Sequence, residues 1–262
     1  MPFSLPILTF HSLDDKRSAI SFPPRVFRRG IAKLHDEGYR TVSLMEAVQS
    51  LASGQSLPNG VFVVTFDDGY HNVYEEALPV LRDYGMCATI FLTVGQSSVA
   101  APGDRLPSCE GRAMLSWREI REMSTAGMTF GAHTLTHPDL TRLPSDRIEV
   151  EICASKTIIE NALGARVGCF AYPYGRYDQR SQEIVRHHFA LACSDDLGLA
   201  TQASDPYALE RIDAYYLRTD RLFDLMLSKA FPWYIKARNI PRRIRRSIHQ
   251  TVERTTDHPL FA

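Results

Sequence analysis

Two adjacent carboxylates in the chain are side chains of the kind that hydrolytic chemistry needs. Asp67 and Asp68 follow an apolar run at residues 61–66, and Gly69 comes directly after them. A turn that contains glycine lets both carboxylates approach one site, where one can bind a metal ion and the other can take a proton from an attacking water. The alternative is ordinary turn chemistry, because Asp-Asp-Gly also forms Asx-turns and helix N-caps.

A second motif supplies two imidazoles four residues apart, at His133 and His137. On a helix they would share a face, as in zinc proteases, but those enzymes have Glu directly after the first His, and here that residue is Thr134. Pro138 also disfavours helical geometry at His137. The pair is therefore predicted to lie on a loop after a strand. The alternative for each histidine alone is a hydrogen-bonded loop residue.

Together the motifs offer Asp68, His133 and His137 as ligands of one divalent metal ion. One carboxylate and two imidazoles suit Zn²⁺, with Co²⁺, Ni²⁺, Mn²⁺ and Fe²⁺ as alternatives. Three protein ligands leave positions open for water and substrate, which is typical of a catalytic site. An iron oxygenase can use the same set, but the adjacent Asp67 favours hydrolysis because it supplies a base.

The elements that must position these residues follow from the pattern of apolar runs. Short apolar runs alternate with helical patterns, which predicts an α/β fold with a largely parallel sheet. The predicted strands cover 5–10, 61–66, 88–94, 129–132, 169–172, 190–194 and 209–216, and the predicted helices cover 24–38, 74–84, 117–126, 145–163 and 179–188. Residues 97–112 are predicted to form a surface loop.

Four polar positions fall at, or just after, the ends of predicted strands: His11, the pair Asp67–Asp68, His133 and Tyr174. In barrel-like α/β folds the carboxyl ends of the strands converge on one face, where active sites are built. We therefore expect these side chains to lie around one site.

Three segments, in this order, resemble the motifs of NodB-type polysaccharide deacetylases: TFDDGY at 65–70, HTLTHP at 133–138 and YPYG at 172–175. The flanking residues agree, including LTFHSLDD near the N-terminus. The resemblance covers about residues 6–217. It implies a distorted (β/α) barrel with fewer than eight strands.

The resemblance also implies roles for individual residues. Asp67 is expected to act as the base, and Asp68, His133 and His137 to hold the metal. Pro173 and Tyr174 would lie at the substrate, where the backbone N–H of Tyr174 helps to bind the developing oxyanion.

The implied reaction releases acetate from an N-acetylhexosamine in a polysaccharide, an oligosaccharide or a lipid-linked glycan. Hydrolysis of another amide, such as a ureide or a formamide, is one alternative. A non-catalytic carbohydrate-binding homologue is another, which the four intact residues Asp67, Asp68, His133 and His137 argue against.

Two features depart from the family pattern. Many members carry an Arg before the Pro-Tyr motif that orients the catalytic Asp, but Ala171 and Tyr172 precede Pro173 here. We hypothesise that Arg211 reaches the same place, against the alternative of a surface Arg paired with Glu210 or Asp213.

The second departure concerns the acid. Members often have a late Leu-x-His whose imidazole donates a proton, and this chain has no late motif of that kind. Either Asp67 acts twice or His11 is the acid, although a structural hydrogen bond would also explain His11.

The charge balance, the cysteine spacing and the N-terminal sequence indicate where the chain is located and which partners it has. Lys plus Arg equals Asp plus Glu at 30 each, so the overall charge does not indicate a nucleic-acid partner. The five cysteines are widely spaced and form no CxxC pair, which favours buried thiols in a reducing compartment. The N-terminus does not have the pattern of a signal peptide. The chain is therefore expected in the cytoplasm, where it could contact the inner face of the membrane.

The C-terminal part has a different charge balance. A catalytic domain is predicted over residues 1–225, followed by a basic, aromatic-containing helical tail over 226–262. Residues 229–254 contain eight Lys or Arg and one Glu, with Phe231, Trp233 and Tyr234 and several isoleucines among them. This mixture predicts peripheral contact with an anionic membrane. A nucleic-acid patch and a solvated helix packed on the barrel are the alternatives.

Overall fold

Seven parallel strands form a closed barrel in the computed structural model, which describes residues 4–54, 57–95, 104–108 and 111–242. β1 pairs with both β2 and β7, and this double pairing closes the barrel. The predicted barrel of fewer than eight strands is confirmed. The strands are β1 (Ile7–Phe10), β2 (Val61–Phe66), β3 (Thr89–Leu92), β4 (Thr129–Ala132), β5 (Cys169–Ala171), β6 (Leu191–Leu197) and β7 (Leu209–Asp213).

Helices surround this barrel. They are α1 (Pro24–Asp36), α2 (Leu44–Ala52), α3 (Leu78–Asp83), α4 (Trp117–Thr125), α5 (Ser145–Leu163), α6 (Gln179–His188) and the single turn α7 (Asp220–Phe223). Residues 231–242 are also helical. Among the described helices, none is both long enough and apolar enough to cross a membrane.

Short strands extend the barrel at its edges. Arg40–Thr41 adds to β2, Ser4–Leu5 pairs with Ala200–Thr201, and Ser12–Leu13 pairs with Ser21–Phe22. A π-helical turn, Val73–Ala77, precedes α3. Short 3₁₀ turns follow β5 at Pro173–Gly175 and β7 at Ala214–Leu217.

The apolar side chains form two clusters, one on each side of the barrel wall. Successive strand residues point to opposite faces, so each strand contributes to both. The lumen holds Ile7, Val63, Phe91, Ala171 and Leu209, among others. The helix-facing cluster contains Leu8, Val64, Ile90 and Phe170, each next to one of these residues in the chain, and Ile212 on β7.

Gly131 on β4 shows how tightly the lumen is filled. A Cβ atom placed there would lie 2.5 Å from the ring of Phe91, which is fully buried. The ring on β3 therefore fills the space that a side chain on β4 would need. This close approach brings β3 and β4 together directly below His133.

Strands and helices with strong patterns lie where they were predicted. The strands at 61–66 and 129–132 and the helices at 145–163 and 179–188 have the predicted bounds. α5 ends at Gly164, whose left-handed φ of 64° lets the chain leave the helix.

The strand predicted at 190–194 extends to Leu197, and several other predicted elements shift by one or two residues at an end. Three others differ more. The strand at 5–10 is interrupted at Pro6, which lacks the N–H that a sheet requires. The helix at 74–84 begins as the π-helical turn. The strand at 209–216 stops at Asp213, because that side chain accepts a hydrogen bond from the Tyr215 N–H and starts a 3₁₀ turn. α2 was not predicted, and most of the predicted loop at 97–112 lies outside the described residues.

Part of the predicted tail packs on the barrel. Phe231 and Ile235 are buried in the helix-facing cluster, so the helix at 231–242 shares the core of the preceding residues. Residues 243–262 lie outside the described part of the chain. The division at residue 225 stays a prediction.

Candidate active site

The carboxyl ends of the barrel strands bring the predicted site residues together. β1 ends one residue before His11, β2 one residue before Asp67, and β4 one residue before His133. Tyr174 lies in the 3₁₀ turn that follows β5. Because parallel strands all point the same way, these residues lie on one face of the barrel, as the sequence predicts.

Asp68, His133 and His137 form a compact trio of possible metal ligands. Asp68 Oδ1 lies 3.4 Å from the Nε2 atom of each histidine, and the two Nε2 atoms are 3.2 Å apart. Ligand atoms held about 2.0–2.2 Å from one tetrahedral ion are separated by about 3.4 Å. Asp68 Oδ1 is also buried and makes no hydrogen bond in the structure. The three residues therefore fit a divalent metal ion.

Left-handed backbone conformations aim these side chains at one point. The φ angles of Asp68, Thr134, His137 and Tyr174 are 72°, 70°, 57° and 56°. Neighbouring side chains on a strand point to opposite faces, but the turn at Asp68 lets both carboxylates face the site. Such conformations are unfavourable for residues other than glycine and cluster at functional sites. The prediction of a loop rather than a helix at 133–137 is therefore confirmed, and the loop is a strained turn.

Hydrogen bonds set the orientation of His133. Its Nδ1 donates to the carbonyl oxygen of Ala171 at 2.7 Å, which leaves Nε2 directed at Asp68. Burial lowers the pKa of His133, but the nearby carboxylate of Asp68, 3.4 Å away, and the charge of Asp67 raise it further than burial lowers it. The same negative surroundings would attract a metal cation.

The pKa of His137 is shifted in the opposite direction, below the ordinary histidine value. Burial, together with the neighbouring His133, lowers its pKa to about 4. His137 is therefore neutral near pH 7, which is the form that binds metal ions.

Glu151 on α5 supports the histidine turn, and the sequence reasoning missed it. Its buried carboxylate accepts hydrogen bonds from the backbone N–H groups of Leu135 and Thr136, at 3.0 and 2.9 Å, and from Thr136 Oγ1 at 2.8 Å. The helical spacing of Ile148, Ile152 and Ile159 was the available signal, because it places Glu151 on the buried face. A buried acid on an apolar helix face must have partners nearby.

Asp67 is held by Arg211 in the barrel lumen. The two guanidinium Nη atoms each donate to one carboxylate oxygen at 2.8 Å, and Nε donates to the carbonyl of Ser194 at 2.9 Å. Both side chains are 4% exposed. Leu209 faces the lumen, so Arg211, two residues along β7, faces it too. The alternative pairing with Glu210 or Asp213 was wrong.

The ion pair determines the charge state of Asp67. Burial raises the pKa of this carboxyl, but the attraction of Arg211, with a smaller contribution from His133, brings it below the ordinary aspartate value. The pKa of Arg211 is raised in turn, despite its own burial, chiefly by Asp67. Asp67 is therefore ionised across the neutral range.

His11 lies beside this pair. Its Nε2 atom is 3.9 Å from Asp67 Oδ2, and its side chain is 26% exposed, so one edge of the ring reaches solvent. The separation exceeds a hydrogen bond. His11 is thus close to the carboxylate without being held by it.

The turn at Pro173–Gly175 closes the other side of the site. Tyr174 is 58% exposed, and its ring packs edge-on against the ring of His137, with centroids 4.6 Å apart. A Cβ atom on Gly175 would lie 2.2 Å from Asp195 Cβ, so only glycine fits there. Pro173 is buried, and the turn is packed directly against β6.

The fold and the site together define the class of protein: an α/β-barrel enzyme with a trio of candidate metal ligands beside a buried, ionised carboxylate. Comparison with known proteins then identifies the family. The sequence profile described as "Polysaccharide deacetylase" matches residues 54–189, about half of the chain. The chain belongs to this family, a group of hydrolases acting on carbon–nitrogen bonds that generally depend on a metal ion.

Individual relatives agree with this assignment. YxkH of Bacillus subtilis (strain 168), assigned as a polysaccharide deacetylase, is 29% identical over 237 residues, 90% of this chain and 77% of that protein. The structure of the Streptococcus pyogenes deacetylase PplD in complex with acetate superposes with a TM-score of 0.71 at 28% identity, covering 81% of this chain and 93% of that one.

A third relative acts on a named polymer. The poly-beta-1,6-N-acetyl-D-glucosamine N-deacetylase of Escherichia coli (strain K12) is 26% identical over 136 residues, 48% of this chain. The match spans only 20% of the E. coli protein.

We expect Glu151→Gln to loosen the histidine turn. The amide has no charge and only one acceptor oxygen for three donors, so the free energy of unfolding should fall by about 1–3 kcal/mol. Metal affinity should fall by about 10–100-fold, because the turn positions His137. Urea unfolding measures the stability, and titration calorimetry measures the metal affinity.

Glu149→Gln, an exposed change on the same helix, is the control and should alter stability by less than about 0.5 kcal/mol. Equal effects of the two variants would contradict this role.

We expect Arg211→Met to destabilise the metal-free protein by about 3–5 kcal/mol at pH 7, because Asp67 remains buried without a partner. Burial alone then raises the pKa of Asp67, and a raised carboxyl pKa destabilises only above the unfolded value of about 3.9. The deficit relative to wild type should therefore shrink as the pH falls from 7 to 4 in urea unfolding.

Arg25→Met is the matched control for this prediction. It removes an exposed Arg–Asp pair, with Asp220, and should change stability by at most about 1 kcal/mol. A deficit for Arg211→Met of the same size as the control, or one that does not depend on pH, would contradict the assigned role of the pair.

Proposed function

We propose that this chain removes the N-acetyl group from an N-acetylhexosamine in a polysaccharide, oligosaccharide or lipid-linked glycan, and releases acetate. The observation that carries the proposal is the placement of Asp67, buried and ionised, beside the ligand trio of Asp68, His133 and His137. An amide hydrolase needs a base next to the water that attacks the carbonyl.

Zn²⁺ suits the donor set best, with Co²⁺, Ni²⁺, Mn²⁺ and Fe²⁺ as alternatives. When bound, such an ion supplies Lewis acidity and lowers the pKa of water. The residues of the chain do the remaining work. Asp67 accepts the proton of the attacking water, and Arg211 keeps the carboxylate ionised and oriented.

The turn at Pro173–Gly175 borders the place where the substrate carbonyl would lie. Tyr174 is proposed to help bind the developing oxyanion through its backbone N–H, a donor that does not depend on the side chain. Its exposed ring, packed on His137, offers a flat surface to the sugar.

The leaving amine requires a proton, and the position of His11 beside Asp67 supports it as the donor. Of the described histidines outside the ligand trio, His11 is the one in contact with Asp67. We propose that His11 donates this proton to the amine. The alternative is that Asp67 returns the proton it has taken.

The nature of the substrate is supported by relatives rather than by a bound ligand. The E. coli relative acts on a polymer of N-acetylglucosamine, as its name states, although the chain spans only a fifth of that protein. An N-acetylated aminosugar polymer, or its lipid-linked precursor, is therefore the proposed substrate class.

Acetate release from N-acetylglucosamine oligomers and from lipid-linked N-acetylhexosamines tests the proposed function. A chelator should abolish release, and Zn²⁺ should restore it.

The variant Asp67→Asn should lower kcat by about 10²–10⁴-fold, because the amide cannot accept the proton. Asp36→Asn, an exposed change on α1, should leave kcat unchanged. A fully active Asp67→Asn enzyme would refute the mechanism, and release only from ureides or formamides would refute the substrate class.

We expect His11→Gln to lower kcat about 10²-fold or more, with KM little changed, since a proton donor acts in the chemical step. Steady-state kinetics on soluble N-acetylglucosamine oligomers measure both constants. A His11→Gln enzyme with wild-type kcat would instead assign both proton transfers to Asp67.

A further inference from the structure

The helix at residues 231–242 has one face in the core and one in solvent. Phe231 and Ile235 are buried, whereas Trp233 is 69% and Ile240 56% exposed. Residues 233, 237 and 240 share one side of a helix, so Trp233, the exposed Ala237 and Ile240 form a continuous apolar stripe. A large exposed tryptophan beside an exposed isoleucine indicates a surface that binds a partner.

Cations lie on the solvent-exposed part of the same segment. Lys229, Lys236 and Arg238 are exposed, and the chain has no Asp or Glu between residues 225 and 252. Lys236 Nζ lies over the ring of Trp233, 5.6 Å from its centroid, and the Arg238 guanidinium lies 5.2 Å from the centroid of Tyr234. The surface therefore combines an aromatic and an aliphatic side chain with positive charge.

Contacts at the end of this helix place it on the rim formed by the carboxyl ends of the barrel strands. This rim, which also carries Asp67 and the ligand trio, is called the catalytic rim. Asn239 donates to the carbonyl of Leu197, and Arg242 donates to Asp195 at its carbonyl (3.0 Å) and at its carboxylate (2.9 Å). Both acceptor residues lie in the C-terminal half of β6. Asp195 packs against Gly175, the residue after Tyr174.

A second contact fixes the start of the helix on the same rim. Tyr234 donates its hydroxyl proton to the carbonyl of Tyr216 at 2.6 Å. Tyr216 lies in the 3₁₀ turn that follows β7, the strand that carries Arg211. The helix thus spans the carboxyl ends of two barrel strands.

We propose that this helix contacts an anionic phospholipid surface, with Trp233 and Ile240 in the interfacial region and Lys229, Lys236 and Arg238 near the lipid phosphates. Tryptophan is favoured at the membrane interface, and nearby Lys and Arg are attracted to anionic headgroups. A sugar polymer fits less well, because Lys236 covers a face of the Trp233 ring on which a sugar would stack. A second copy of the chain would bring two basic surfaces together.

Membrane contact at this position would hold the catalytic rim next to the bilayer. This step rests on the proposed function: a glycan still attached to a lipid carrier would then be presented to Asp67 and to the ligand trio. The membrane contact itself does not depend on that activity, so the two can be tested separately.

Binding of the full-length protein to vesicles tests the proposal. The chain has two tryptophans, and Trp117 is 4% exposed, so a change in fluorescence on binding reports on Trp233. We expect vesicles with about 30% phosphatidylglycerol to shift the emission to shorter wavelength and to co-sediment with the protein, whereas phosphatidylcholine vesicles do neither.

Three variants sharpen this test. Trp233→Ala with Ile240→Ala should weaken co-sedimentation at least tenfold, and Lys236→Ala with Arg238→Ala about 25-fold, at about fivefold for each cation. Val150→Ala is the matched control, because Val150 is an exposed apolar residue (46%) on α5, and it should bind as wild type does. All three should release acetate from soluble oligomers at the wild-type rate.

Several results would overturn the proposal. They are equal binding to neutral and anionic vesicles, no binding to either, wild-type binding by the Trp233 and Ile240 variant, and binding to soluble glycan but not to vesicles. Asp67→Asn should bind vesicles normally. Wild-type protein that binds anionic vesicles but releases no acetate would count against the proposed deacetylase function alone, and wild-type protein that releases acetate without binding vesicles would count against the membrane proposal alone.

Discussion

The buried ion pair between Asp67 and Arg211 is the interaction on which the site depends. It joins β2 to β7 across the lumen of the barrel, and both partners are almost fully buried. An isolated carboxylate at this depth would become neutral, because burial disfavours the charged form. The bidentate guanidinium reverses that preference and fixes the direction of both oxygen atoms. Asp67, the proposed base, is thus kept ionised and oriented from the strand farthest away along the chain.

The neighbouring trio requires a different kind of support. Asp68 and His137 adopt left-handed backbone conformations that residues other than glycine seldom take. Such turns persist when surrounding contacts hold them, and here the carboxylate of Glu151 binds the two backbone N–H groups inside the histidine turn. The carbonyl of Ala171 in turn orients His133. The geometry that suits a metal ion therefore comes from residues that would not touch it.

The catalytic rim is also where the C-terminal helix is attached. Arg242 reaches Asp195, and Asp195 packs against the turn that contains Tyr174. The residues that would contact substrate and the residues with an exposed basic surface therefore lie on one edge of the barrel. In an enzyme that processes a glycan at a bilayer, this arrangement would couple binding at the surface to access at the site.

The sequence by itself determined the parts that depend on neighbouring residues. Alternation of apolar runs predicted the strands, helical spacing predicted α5 and α6, and Asp-Asp-Gly and His-x-x-x-His indicated the ligand trio. The family resemblance suggested Arg211 as a hypothesis, and only the tertiary structure showed that it holds Asp67 and that Glu151 supports the trio. The bond from Arg211 to Asp67 spans 144 positions, and Glu151 acts through a helix face that meets the histidine turn only after folding. Such contacts depend on closure of the barrel and on packing of helices against it, and short-range sequence patterns predict neither.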